Sequence, residues 1–274
     1  MLLWMAPLLF VALMLASAAG YGLSRRVVKR GGGQGAGWGP LLGGASGLLG
    51  LLIAFTLAMA TERYETRREL VVSEANALST TYLRDSAYGG ATGARLDALI
   101  AQYGQARLAF FDAGDDKARL GEVARRTGAL KDEIWKETVA AVLLPRQTAI
   151  DAMVLASTND MFNLAASRMA ARQLKVPQDV LWLLTFIAIG TSALCGYTLG
   201  LGGDRHMIAT AALMAMISVS IATIVDLDTP TLGLIQVPQS PMINAVADLK
   251  AHEARRQTFV PEVPAESAAD SDAP

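Results

Sequence analysis

Charged residues and cysteine are scarce in this 274-residue chain. Only 18% of the residues are charged and the net charge is −1, whereas soluble domains carry about 25% charged residues. Without a basic surplus, nothing indicates a nucleic-acid partner. One cysteine, Cys195, cannot form an internal disulfide, so cysteine content does not indicate a compartment. We interpret Cys195 as a small packing residue.

Catalytic and metal-binding motifs are also lacking. The sequence contains no HExxH, no CxxC pair, no phosphate-binding loop and no GxSxG. Its two histidines, His206 and His252, have no cysteine or second histidine at the spacing of zinc ligands. We therefore expect no enzyme, no bound metal ion and no cofactor.

Four long hydrophobic runs are present, two towards each end of the chain. They cover residues 1–23, 41–61, 180–203 and 207–225. Each has roughly the 20 apolar residues that a helix needs to cross a bilayer. A backbone in lipid must satisfy its own hydrogen bonds, so these runs should be helices. The sequence predicts an all-α, multi-pass membrane protein, with four transmembrane helices in two pairs and the lipid bilayer as its partner.

The orientation of these helices is left open by the flanking charges. A basic group follows the first run instead of preceding it, which is typical of a retained anchor and not of a cleaved signal. This group consists of Arg25, Arg26, Lys29 and Arg30. By the positive-inside rule it would place the first loop in the cytoplasm. Other basic residues, after the second run and before the third, favour the reverse orientation.

The region between the two pairs has helical periodicity. We expect helices at about 94–111, 117–126, 129–144 and 146–175. The second run continues into this region without a breaker. The spacing of a coiled-coil-like seam, alternately four and three residues, is followed by Tyr64, Arg68, Val71, Ala75, Leu78 and Tyr82, and Arg68 interrupts the seam. The predicted division is a first transmembrane pair (1–61), a helical extramembrane domain (62–177), a second pair (178–226), a post-membrane segment with a short helix (227–258) and a disordered acidic tail (259–274).

Small residues recur along the second hydrophobic run. Ser46, Gly50, Ala54 and Ala58 are spaced by four, and Gly43 with Gly47 forms a second pair. Such spacing lets helices approach closely in lipid, but the same thin strip could instead face a pore. No ionisable residue lies in the middle of any run, which argues against a pump but not against a channel.

Charged residues collect where the spans end. Glu62, Arg63 and Arg67 follow the second run, and Asp226 and Asp228 close the fourth. In one interpretation Asp228 bonds to its own backbone in an Asx turn. In the other, the two aspartates bond to Arg63, Arg67 or His206 and join separate juxtamembrane segments.

Several stretches together resemble the bacterial bestrophin-like domain family. They are residues 55–68, 72–77, 81–84, 176–177 with Trp182, 226–230, 233–237 and Pro241, and the resemblance spans about residues 43–249. It implies a four-span protomer in the bacterial plasma (inner) membrane, forming a homo-oligomer around a central anion-conducting pore that the second span lines.

The resemblance also suggests particular residues. Bestrophins are pentamers with an aromatic and aliphatic neck on the second span, for which Phe55, with Ile53 or Leu52, is the nearest match in type. Candidate pore or helix-packing residues are Ser46, Gly47, Gly50, Ala54, Phe55 and Ala58. Asp226 and Asp228 occupy a place comparable to a calcium-binding acidic run, but two carboxylates are too few for calcium. The alternative function is a non-conducting sensor or scaffold that binds a protein partner through its helical domain.

Overall fold

The computed structural model describes residues 4–30, 37–114, 116–143, 148–203, 206–229 and 233–258. Within these ranges the regular structure is helical and no strand occurs. The eight helices are α1 (Met5–Lys29), α2 (Trp38–Ser86), α3 (Gly90–Asp112), α4 (Lys117–Val142), α5 (Thr148–Gln173), α6 (Gln178–Gly202), α7 (Met207–Asp228) and α8 (Ser240–Thr258). The tail predicted at 259–274 lies outside the described residues.

Four described stretches are long and apolar enough to cross a membrane: Met5–Lys29, Trp38–Ser86, Ala149–Gly202 and Met207–Asp228. The third includes α5 as well as α6, and its apolar part is α6. The prediction of an all-α membrane protein with four spanning helices is confirmed.

The chain divides into two compact units. The first, called the membrane unit here, comprises Met1–Leu70 and Ser167–Pro238, and the second, the helical unit, comprises Val71–Ala166 and Gln239–Pro274. The domain boundaries that the sequence predicted remain predictions.

In the membrane unit, α1 packs against α6 and α7. Glycines allow the contact with α6, because a Cβ on Gly20 would collide with the Ala193 carbonyl and one on Gly196 with the Ser17 backbone. Close backbone approach through small residues is how helices associate in lipid. The buried core includes Leu13, Leu184, Ala188, Met214, Ile221 and Ile224.

In the helical unit, α3 packs against α4 and α8. The part of the predicted α2 seam that lies in this unit is buried, with Val71, Ala75, Leu78 and Tyr82 at most 4% exposed. Earlier on α2, Tyr64 is half-buried and Arg68 is exposed. A Cβ on Gly104 of α3 would meet the side chains of Leu78 and Val246. The seam therefore belongs to the core of the protomer.

Two helices of the predicted helical domain are one helix in the structure. The sequence predicted separate helices at 117–126 and 129–144, but α4 runs unbroken from Lys117 to Val142, through Gly128. A glycine inside a helix costs only about 1 kcal/mol. The apolar residues that α4 buries beyond it, among them Leu130 and Ile134, outweigh that cost.

Candidate functional site

The small residues of α2 lie on the outside of the protomer. Ser46, Gly47, Gly50, Ala54 and Ala58 are all exposed. Nothing lies within 4 Å of a Cβ built on Gly43, Gly44, Gly47 or Gly50. We call this exposed strip the small-residue face of α2. At these glycines the face makes no packing contact inside the protomer. By contrast, Gly20 of α1 and Gly196 of α6 lie against the backbone of the neighbouring helix.

The opposite face of α2 supports this strip. Leu49, Thr56 and Ala60 are buried, and the Thr56 hydroxyl donates to the Leu52 carbonyl one turn earlier, 2.7 Å away. A hydroxyl in an apolar helix is satisfied in this way without a partner helix. The buried face fixes the rotation of α2, and so fixes which residues point away from the core.

The three neck candidates are separated by their environment. Leu52 and Ile53 are half-buried and pack against the apolar core of the membrane unit. Phe55 is 62% exposed, beside the small-residue face. Among these three, Phe55 alone projects from the protomer surface.

Carboxylates continue the same face beyond the hydrophobic run. Glu62, Glu65 and Glu69 are exposed and follow Ala58 at helical spacings of four, three and four residues. The face of α2 that is uncharged through the span therefore becomes acidic immediately after it.

Arg67 points into the membrane unit instead. Its guanidinium donates to three main-chain carbonyls: Ala171 at 3.3 Å, Leu174 at 2.6 Å and Leu227 at 3.1 Å. It also lies 3.8 Å from the Asp228 carboxylate. The first and third of these carbonyls belong to the end of α5 and the end of α7, where carbonyls have no helical partner.

The two aspartates after the fourth span have different partners. Asp228 accepts a hydrogen bond from the Val176 N–H at 2.8 Å. Asp226 accepts from the N–H groups of Leu234 and Ile235, each at 2.8 Å. Both carboxylates thus organise the backbone of neighbouring segments. Asp228 lies at ion-pair distance from Arg67, one of the partners in the second interpretation, whereas Asp226 bonds to the backbone of residues 234 and 235 instead.

The structure therefore divides the predicted juxtamembrane cluster. Arg67 and Asp228 are brought together, Asp226 turns to residues 233–235, and Glu62 is exposed on the face that carries Ala58. Arg63 is half-buried. Within the described ranges, no group of three or more His, Cys, Asp or Glu side chains could hold a metal ion.

The helical unit contains two buried acidic sites that the sequence did not reveal. Glu74 pairs with Arg107, and both side chains are almost inaccessible to solvent. Asp85 is fully buried, and neither of its carboxylate oxygens has a hydrogen-bond partner among the described residues. Burial, with a smaller contribution from the Asp97 carboxylate, raises the pKa of Asp85 to about 8.

Only part of the arrangement of these buried charged residues could have been predicted from the sequence. Arg67 and Glu74 are seven residues apart on α2, so helical spacing places them on one face. Nothing local indicates that this face is buried, because the partners come from distant helices. Asp97, which accepts a hydrogen bond from the Ser86 hydroxyl at 3.0 Å, is likewise brought to the end of α2 by the fold.

This arrangement of four apolar helices, with α1 closely packed on α6, has the fold of bacterial bestrophins. The homologue from Klebsiella pneumoniae superposes with a TM-score of 0.69 at 13% identity, over 93% of this chain and 99% of that one. Two single-residue variants of that homologue give TM-scores of 0.70 at 13% and 14% identity, over 90% and 92% of this chain and 98% of theirs. At this identity the similarity shows the fold alone.

The sequence assigns the family directly. The model of the Bestrophin-like domain matches residues 8–242, most of the chain. The protein belongs to the Bestrophin-like domain family. No curated protein matches the sequence.

Proposed function

We propose that this protein is an oligomeric membrane channel for anions or small solutes, and not an enzyme. The observation that carries the proposal is the small-residue face of α2, which is exposed along the span and unoccupied within the protomer. Copies of the chain would assemble in the bacterial inner membrane with α2 nearest the common axis. Five copies is the number implied by the resemblance to bestrophins.

The small-residue face suits an axial position for two reasons. Helices with little side-chain volume can approach one another closely, and packing is the force that joins helices in lipid. The face also carries no charge between Leu41 and Thr61. A pathway with weak polar groups and hydrophobic constrictions can pass solutes without trapping them.

Phe55 is the side chain that we assign to the constriction. It projects from the protomer on the border of the small-residue face. A ring of such side chains around an axis would form a narrow apolar neck, which gates by excluding water. Truncating Phe55 should widen the neck at little cost to the stability of the protomer, because its ring is mostly exposed.

The proposal is tested with purified full-length protein in planar bilayers, together with its mass in detergent. We expect discrete conductance and a mass of several protomers. A monomeric mass, with no current carried by any of several anions and cations, would overturn it. Phe55→Ala should raise the single-channel conductance severalfold. Leu52→Ala, from the half-buried side of α2, is the control for a neighbouring truncation.

Exposed apolar residues of the helical unit favour a second candidate, a non-conducting scaffold. The seam with Val71 and Leu78 is buried in the protomer, so it offers no docking surface. Trp135 of α4 is 44% exposed, and exposed aromatic residues are common anchors at interfaces. The scaffold requires a stoichiometric protein that co-purifies with the wild type and is lost with Trp135→Glu. A partner that survives this change would exclude docking through Trp135.

A further inference from the structure

A cavity of about 320 Å³ lies between α1, α6 and α7. Most of its lining is apolar, including Met14 and Ala18 of α1, Leu199 of α6 and Met207 of α7. Tyr21 and His206 add polar groups. Since Leu199 is close to the end of α6 and His206 immediately precedes α7, the cavity lies towards the end of the membrane unit where these two helices are connected. Its volume is at the lower end of the range for small-molecule sites, about 300–1,000 Å³.

A cationic side chain reaches the same end of the unit. Arg25 follows Tyr21 by one helical turn, and its Nη1 atom is 3.7 Å from the position that a Cβ on Gly203 would occupy. Arg26, Lys29 and Arg30 complete a basic end of α1, a helix that contains no acidic residue.

Aromatic residues mark this end as the membrane boundary. The rings of Trp38, at the start of α2, and Tyr197, on α6, lie 4.7 Å apart. Tryptophan and tyrosine are enriched at the level of the lipid headgroups. An apolar cavity that ends at this level, next to arginine, has the dimensions and the charge distribution of a lipid site.

We propose that the cavity between α1, α6 and α7 binds an anionic phospholipid. One acyl chain lies against Met14, Ala18 and Leu199, and the phosphate is held by the guanidinium of Arg25 and a ring N–H of His206. Basic pockets between transmembrane helices are a common form of lipid headgroup recognition. This site is independent of whether the protein conducts.

The headgroup, and not the chain, determines the selectivity of this site. An acyl chain in a bilayer is already in an apolar environment, so the cavity walls offer it no hydrophobic gain. Charge-assisted hydrogen bonds from arginine distinguish an anionic lipid from a zwitterionic one. The walls in turn distinguish a lipid from free phosphate, which has no chain to fill the cavity.

The experiment uses the full-length protein in non-ionic detergent. Bound lipid is counted by native mass spectrometry and the thermal midpoint is recorded after addition of dioleoylphosphatidylglycerol, dioleoylphosphatidylcholine or inorganic phosphate alone. We expect retained phosphatidylglycerol and a higher midpoint with that lipid only. Equal effects of the two lipids, or the same effect from phosphate alone, would overturn the proposal.

Two pairs of variants locate the site. Arg25→Gln should weaken phosphatidylglycerol binding about fivefold, whereas Arg26→Gln, with the same loss of charge one residue away, should have a smaller effect. Ala18→Phe should fill the cavity and displace the lipid. Thr210→Leu, which should fill the cavity from α7, replaces it if Ala18→Phe does not fold. Equal losses for Arg25→Gln and Arg26→Gln would indicate general attraction to a basic surface and contradict a defined site.

Discussion

The Arg67 guanidinium lies 3.8 Å from the Asp228 carboxylate, and both side chains are more than nine-tenths buried. Three main-chain carbonyls surround the same guanidinium, and the Val176 N–H binds the same carboxylate. The two residues therefore connect α2, α7 and the segment that precedes α6. This buried pair joins the interior of α2 to the end of α5, the end of α7 and the segment before α6, and stabilises the membrane unit there.

Replacing Arg67 tests this role. Arg67→Met should lower the free energy of unfolding by about 3 kcal/mol, because it leaves a buried carboxylate without its cation and three carbonyls without a donor. Arg63→Met, four residues earlier and half-buried, should cost under 1 kcal/mol. Denaturant unfolding in detergent measures both. Equal costs for the two variants would refute the assigned role.

Asp85 gives the helical unit a dependence on pH. Its folded pKa of about 8 exceeds the ordinary value of 3.8, so the folded state binds the proton more tightly than the unfolded state. The contribution of Asp85 to stability is fully present below its unfolded pKa and is lost as pH rises through its folded pKa. The free energy of unfolding falls by at most about 1.4 kcal/mol per pH unit from this group.

We therefore expect the thermal midpoint of the full-length protein to fall between pH 5 and pH 9. Asp85→Asn, which keeps the size and removes the ionisation, should flatten this fall. Asp132→Asn on the exposed side of α4 is the control and should leave the slope unchanged. A slope that is as steep in Asp85→Asn as in the wild type would show that other groups cause it.

The contact between α1 and α6 depends on Gly196. A Cβ at this position would collide with the Ser17 backbone, which cannot move without displacing α1. Gly196→Ala should therefore cost about 1–3 kcal/mol through overpacking. Gly190→Ala on the same helix meets nothing within 4 Å and should be neutral or slightly stabilising. The two thermal midpoints provide the comparison, and a harmless Gly196→Ala would contradict the close approach.

The acidic residues after the span should influence ion selectivity. Glu62 and Glu65 lie on the face of α2 that we place nearest the axis, so their charges would lower the local concentration of anions. Glu62→Gln combined with Glu65→Gln should increase chloride permeability relative to potassium, with a larger change at low salt. Reversal potentials in a KCl gradient report this change. Glu122→Gln combined with Asp132→Asn, both exposed in the helical unit, is the control with the same change of net charge. An unchanged reversal potential would exclude these residues from the mouth of the pathway.

The fold was largely predictable because membrane helices leave strong local signals. The lengths of the apolar runs identified the four spans. The break predicted between residues 126 and 129 was wrong, because the apolar face that α4 buries continues across it.

The candidate site was only partly predictable. Helical spacing identified the small-residue face of α2, but only the buried positions of Leu49, Thr56 and Ala60 show that this face points away from the protomer core. The buried pair of Arg67 and Asp228, and the isolated carboxylate of Asp85, depend on contacts between distant parts of the chain. No local pattern in the sequence specifies such contacts.

Cysteine accessibility in planar bilayers tests most directly whether α2 lines a pathway. In a Cys195→Ala background, Ala54→Cys and Ala58→Cys place thiols on the small-residue face, and Thr56→Cys places one on the buried face as the control. We predict that a membrane-impermeant charged thiol reagent reduces the current of the first two variants and leaves the third unchanged. Persistent current in all three, or an equal reduction in all three, would contradict an axial position for α2.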